Sequence, residues 1–232
     1  MSGFFSRLFG RDNSSQDGMK QYSGPYHNGK GTFQFTETAE GERVFEGPFK
    51  YKGILGNRDV QARGQYVNNR KEGKWVYQMS SPEYKKTITA DYVGGQISGI
   101  MEYERHDSAF YNGMRTVLRV TVSDGKVCGA ISGNFGEAVL QGTSDEESRA
   151  DGRWQMKLED KENGNREDIE VWEHGTLKET YALDGYERSK RKTYPRLRGL
   201  VNDILDNDLR KMINIVGRGE QTPALHVNQV KV

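Results

Sequence analysis

Large apolar residues alternate with polar ones in short runs along most of the chain. Trp75, Tyr77 and Met79 alternate with Lys74, Val76 and Gln78. Trp154, Met156 and Leu158 are separated by Gln155 and Lys157, and Leu118, Val120 and Val122 by Arg119 and Thr121. A period of two places one set of side chains on one face of a strand. Between the runs stand pairs such as Asn28-Gly29 and Asp124-Gly125, which reach positive φ at little cost and close tight hairpins. The pattern predicts a mainly β protein, an antiparallel meander of about a dozen strands whose sheet is apolar mainly on one face.

The strand–turn units also resemble one another. Gly24–Phe35, Gly64–Tyr77 and Ala90–Tyr103 each read as an aromatic, a polar Asn/Gly turn, a short spacer, a glycine and then alternating large apolar residues. Weaker copies begin at Phe45, Ser123 and Val171. Such internal similarity marks a repeat architecture. Tyr22–Gly31, Tyr66–Trp75 and Trp172–Lys178 resemble MORN (membrane occupation and recognition nexus) repeats, in their looser bacterial, antitoxin-like variant. The likeness runs from Tyr22 to about Asp184, with gaps around residues 51–60 and 132–150. It implies a β-hairpin solenoid or meander and a role in protein or lipid contact rather than catalysis. On the repeats, Tyr26, Tyr66, Trp75, Tyr92 and Trp172 are the candidate protein-binding residues.

The two ends follow a different period. Phe4, Phe5, Leu8 and Phe9 form one apolar stripe of a short N-terminal helix, suited to docking on the sheet or to lying in a membrane interface. Leu197, Leu200, Val201, Ile204, Leu205, Leu209, Met212, Ile213 and Val216 recur at helical spacing, with Pro195 ahead of them and Gly217 behind. They predict an amphipathic helix from near Arg196 to Val216 that covers the sheet or forms a homodimer seam. Ahead of it Arg188, Lys190, Arg191, Lys192, Arg196 and Arg198 form a basic run. Arg188, Lys190, Arg191 and Lys192, with the four N-terminal apolar residues, are the candidate lipid-binding set, suited to anionic headgroups. Residues 1–20 therefore read as a short amphipathic segment, 21–185 as the repeat domain, 186–217 as a basic linker and helix, and 218–232 as an extended tail.

Composition narrows the chemistry. The 232 residues carry 34 basic and 33 acidic side chains, a balance that gives no support to wholesale nucleic-acid binding. Hydrophobic residues make up 34% and the mean hydropathy is -0.87, which suits a one-sided sheet. A single cysteine, Cys128, rules out an internal disulfide and fits a cytoplasmic, reducing setting; in its strand–turn context it reads as a small buried residue. The N-terminus lacks the basic region and apolar run of a signal peptide, and no stretch has the ~18 apolar residues of a membrane span. The four histidines, His27, His106, His174 and His226, are widely separated, without zinc-site spacing. No nucleophile elbow, phosphate loop or dinucleotide fingerprint occurs, and no cofactor is expected. The sequence thus points to a non-catalytic intracellular module that contacts another protein through its sheet. The alternatives are a peripheral protein on anionic lipid and an enzyme with a cryptic site on the sheet.

Overall fold

A computed structural model describes residues 13–14, 18–108, 113–159, 165–184, 187–189, 197–205 and 212–213. The expected N-terminal helix, the linker residues 190–196 and the tail 218–232 lie outside the described residues. Among those described, sixteen strands form one antiparallel sheet. They are β1 (Asn13–Ser14), β2 (Lys20–Tyr26), β3 (Gly29–Glu37), β4 (Arg43–Leu55), β5 (Arg58–Val67) and β6 (Arg70–Ser80). These are followed by β7 (Tyr84–Val93), β8 (Gln96–Ile97), β9 (Gly99–Asp107), β10 (Arg115–Ser123) and β11 (Lys126–Phe135). Completing the sheet are β12 (Ala138–Ser144), β13 (Ala150–Leu158), β14 (Arg166–Glu173), β15 (Thr176–Asp184) and β16 (Glu187–Ser189). Each strand pairs with its sequence neighbours, except that the two-residue β8 pairs only with β7, leaving β7 beside β9. The meander is longer than expected because the stretches that break the repeat pattern are largely strands as well: residues 51–55 end β4 and 58–60 begin β5, while residues 132–135 end β11 and 138–144 form β12.

One face of the sheet is buried. Along β7, Lys86, Ile88, Ala90 and Tyr92 point inward while Lys85, Thr87, Thr89 and Asp91 point out. The inward face is covered largely by its own rings. Contacts run from Tyr22 on β2 to Phe33 on β3 (centroids 4.9 Å), and from Phe33 to Phe45 on β4 (4.7 Å). They continue from Phe45 to Tyr66 on β5 (5.4 Å) and from Tyr66 to Trp75 on β6 (5.1 Å). From β9 onward the buried residues are mainly aliphatic, with Met101, Leu118, Val120, Val122, Val127, Ile131 and Leu140 in the same core as Tyr103, Trp154 and Trp172.

Glycines make the ring packing possible. Phe49 on β4 and Trp75 on β6 are separated by β5, yet their rings are 5.6 Å apart. Gly64 of β5 stands between them, and a Cβ placed on it would fall inside the Trp75 indole. Gly142 of β12 bears the same relation to Trp154. Each indole N–H then reaches the carbonyl after its glycine, Trp75 Nε1 to Gln65 O (3.1 Å) and Trp154 Nε1 to Thr143 O (2.9 Å). Both glycines sit where the strand register slips, between Arg63 and Gln65 and between Gln141 and Thr143.

A second recurring device fixes the turns at one end of the sheet. The Asn68 N–H donates to Glu46 Oε2 (2.8 Å) and the Asn69 N–H to Phe45 O (3.0 Å). The next hairpin repeats this, with Gly94 N–H to Glu72 Oε2 (2.8 Å) and Gly95 N–H to Lys71 O (3.0 Å). So does a later one, with His174 N–H to Asp151 Oδ1 (3.0 Å) and Gly175 N–H to Ala150 O (2.8 Å). In each case a glycine follows the acid; Gly73 (φ 64°) and Gly152 (φ 70°) hold a left-handed backbone that a side chain would strain. Cys128 stands at the corresponding position before Gly129 and is half-buried rather than buried, so it is not the small core residue the strand pattern suggested.

The C-terminal helix, α1 (Leu197–Asp203), packs against β13. Leu197, Val201, Leu205, Met212 and Ile213 are all buried in the common core, so this part of the expected stripe is covered by the chain's own sheet. Arg198, the last member of the basic run, is buried rather than exposed. It is 1% exposed, donates to Ser144 Oγ (2.9 Å) and Ser148 O (2.6 Å), and lies 5.4 Å from the Trp154 ring centre. Glu170 completes the anchor, accepting from the Leu197 N–H (3.0 Å) and from Trp172 Nε1 (3.1 Å).

Gly64→Ala should destabilise the fold by about 1–3 kcal/mol, because the Trp75 ring must leave its place. Gly199→Ala, in the helix with nothing within 4 Å of the added carbon, should stabilise by about 0.5–1 kcal/mol. Urea denaturation midpoints measure both; a neutral Gly64→Ala would refute the ring crossing.

Candidate functional site

The five repeat aromatics serve the interior. Tyr66, Trp75, Tyr92 and Trp172 are at most 4% exposed, and Tyr26 is half-buried against the core. Lys71, also buried, sets its ammonium 5.2, 5.8 and 5.5 Å from the Trp75, Tyr77 and Tyr92 ring centres. Side chains so enclosed hold the sheet together and present little to a partner. Phe4, Phe5, Leu8, Phe9, Lys190, Arg191 and Lys192 lie outside the described residues, and Arg188 falls in β16.

The surface open to a partner is the outward face, and on β3–β6 it has a definite chemistry. The pairing places Lys30 opposite Lys52, Lys52 opposite Gln61, and Gln61 opposite Gln78. One step along the strands, Thr32 faces Lys50, Lys50 faces Arg63, and Arg63 faces Val76. Two rows of four outward side chains result, Lys-Lys-Gln-Gln and Thr-Lys-Arg-Val, about 7 Å apart along the strands. These eight residues line a shallow depression of about 380 Å³, with Tyr51 and Ala62 at its floor.

Two like-charge pairs stand directly opposite one another in these rows, Lys30 with Lys52 and Lys50 with Arg63. Such pairs destabilise a sheet by roughly 0.2–1 kcal/mol each. At several other positions on the sheet acids neutralise bases across the strands. Arg119 meets Glu102 (2.6 Å), Arg115 meets Glu104 (2.7 Å) and Arg153 meets Glu167 (3.2 Å). Among the described residues no carboxylate lies within ion-pair distance of Lys30, Lys50, Lys52 or Arg63. The depression is therefore a patch of uncompensated positive charge flanked by Thr and Gln groups that both donate and accept hydrogen bonds.

A second polar cluster lies at the turn between β12 and β13. Asp145 accepts from the backbone N–H groups of Glu147 (3.0 Å) and Arg149 (2.9 Å) and from Arg149 Nε (2.8 Å), with His174 Nδ1 3.4 Å away. Burial opposes its ionisation, but the Arg149 and His174 hydrogen bonds outweigh that and hold the carboxyl below its ordinary value. The arrangement fixes a turn; among the described residues no group of three or more His, Cys, Asp or Glu is placed to hold a metal ion. Among them, too, no helix is long and apolar enough to cross a membrane.

A carboxyl whose pKa is lowered on folding stabilises the native state above its unfolded value, about 3.9, and loses that contribution as pH falls through the folded value. Asp145→Asn should lower the Tm at pH 7 and shrink the drop in Tm between about pH 5 and pH 2.5. Parallel melting curves for variant and wild type would show that Asp145 is not linked to acid stability.

The basic rows escape a linear reading because their members come from separate strands. The alternations Lys30-Gly31-Thr32, Lys50-Tyr51-Lys52, Gln61-Ala62-Arg63 and Val76-Tyr77-Gln78 hint that each pair shares a face of its strand; the register that joins the four pairs needs the sheet. No family model matches the chain and no curated protein matches it, so its functional reading rests on this geometry.

Proposed function

We propose that the chain is a non-catalytic intracellular protein-interaction module, a meander of MORN-like hairpin repeats that keeps its aromatic face inward and offers its outward face to a partner. The observation that carries this reading is the uncompensated basic depression on β3–β6. Opposed like charges work against the sheet that bears them, and a partner of opposite charge would remove that cost. The turn locks at Glu46, Glu72 and Asp151 support the repeat reading, since the same hydrogen bonds recur from hairpin to hairpin. They also steady the strands on which the outward rows stand.

Lysine-directed crosslinking in the native cell should join the chain to at least one other protein, with crosslinks mapping to Lys30, Lys50 or Lys52. The Lys50→Glu/Arg63→Glu variant, checked for a native circular-dichroism spectrum, should lose those products. Recovery of only the free chain, or crosslinks indifferent to the charge reversal, would contradict the proposal.

A further inference from the structure

Resting on the interaction-module reading, we infer that the basic rows on β3–β6 are a docking site for an extended, acidic polypeptide segment with carboxylates at alternate positions. Charge and spacing both argue for this occupant. In an extended chain every second side chain points the same way, at about 7 Å intervals. That is the interval at which Lys52 and Lys50 follow each other along β4, with Lys30 beside the first and Arg63 beside the second. Two successive outward carboxylates would each meet a pair of cations.

The neutral positions separate a peptide from other polyanions. Phosphate oxygens need only donors, which lysine and arginine supply. A peptide backbone brings both N–H and C=O groups that must keep partners when covered. Gln61, Gln78 and Thr32 can donate and accept, and they lie in the same two rows as the cations. The eight outward residues include no aromatic ring, and Tyr51 at the floor is only 5% exposed, so the site lacks the open ring on which unpaired bases stack in single-stranded nucleic-acid sites.

The probe is a fluorescein-labelled octapeptide alternating glutamate and serine, with a glutamine–serine peptide as the neutral control. By fluorescence anisotropy the full chain should bind the acidic peptide and not the neutral one, with affinity falling as salt rises. Lys50→Glu/Arg63→Glu should weaken binding about tenfold or more. Lys126→Glu/Lys157→Glu, the same charge change at exposed sites outside the rows, should stay within about twofold of wild type. If charge reversal perturbs folding, Lys50→Gln/Arg63→Gln serves instead. Equal losses in the two double variants would overturn the site. Preferential binding of inorganic polyphosphate, single-stranded RNA or phosphatidylserine vesicles would overturn the occupant. Failure of the acidic peptide while protein crosslinks still map to Lys30, Lys50 or Lys52 would sink this inference and leave the module reading standing.

Discussion

Trp75 lying across the backbone at Gly64 is the contact on which the sheet's architecture turns. A meander has an apolar face to bury, and among the described residues little helix lies over it. The chain's solution is to lay large rings over strands that carry no side chain at the crossing. Trp75 thereby reaches Phe49 two strands away, and Trp154 crosses Gly142 in the same way in the C-terminal half. Removing such a ring would cost about 3–5 kcal/mol, a large share of a domain's stability. The cations that join this interior, Lys71 beside Trp75 and Arg198 beside Trp154, lie over the same rings.

Because the aromatic face is committed to holding the fold, the recognition proposed for this chain is assigned to the outward face. There the strands differ. β9, β10, β13 and β14 pair their charges across the sheet, as Glu102 does with Arg119. β3–β5 set lysine against lysine and lysine against arginine. A fold free to minimise its own energy gains nothing from that arrangement, whereas a binding surface gains steering and specificity from it. Charges are paired in the first part of the sheet too, as between Lys20 and Glu37, so the contrast is local to the rows on β3–β5, and it is the physical basis for proposing a binding surface there.

Much of the fold was legible in the sequence, and the reason is periodic. Alternation at Trp75-Tyr77-Met79 and helical spacing at Leu197-Val201-Leu205 each follow from local geometry, and both sets of residues are buried. What alternation does not reveal is which face is covered, so Tyr66, Trp75, Tyr92 and Trp172 read equally well as a binding surface and as a core. Glycine was legible at turns but not at crossings, because Gly64 and Gly142 matter through a neighbouring strand. Arg198 read as one member of a basic run, yet Ser144, Ser148 and Trp154 enclose it. The basic rows depend on register, which is a relation between segments and has no local signature.

The most direct test of this division of labour is the stability of Lys50→Gln/Arg63→Gln against wild type, measured by urea denaturation at low salt. If these cations serve recognition and oppose the fold, the variant unfolds at the same or a higher midpoint. A loss of more than about 1 kcal/mol would show that they hold the sheet together, and would contradict the account.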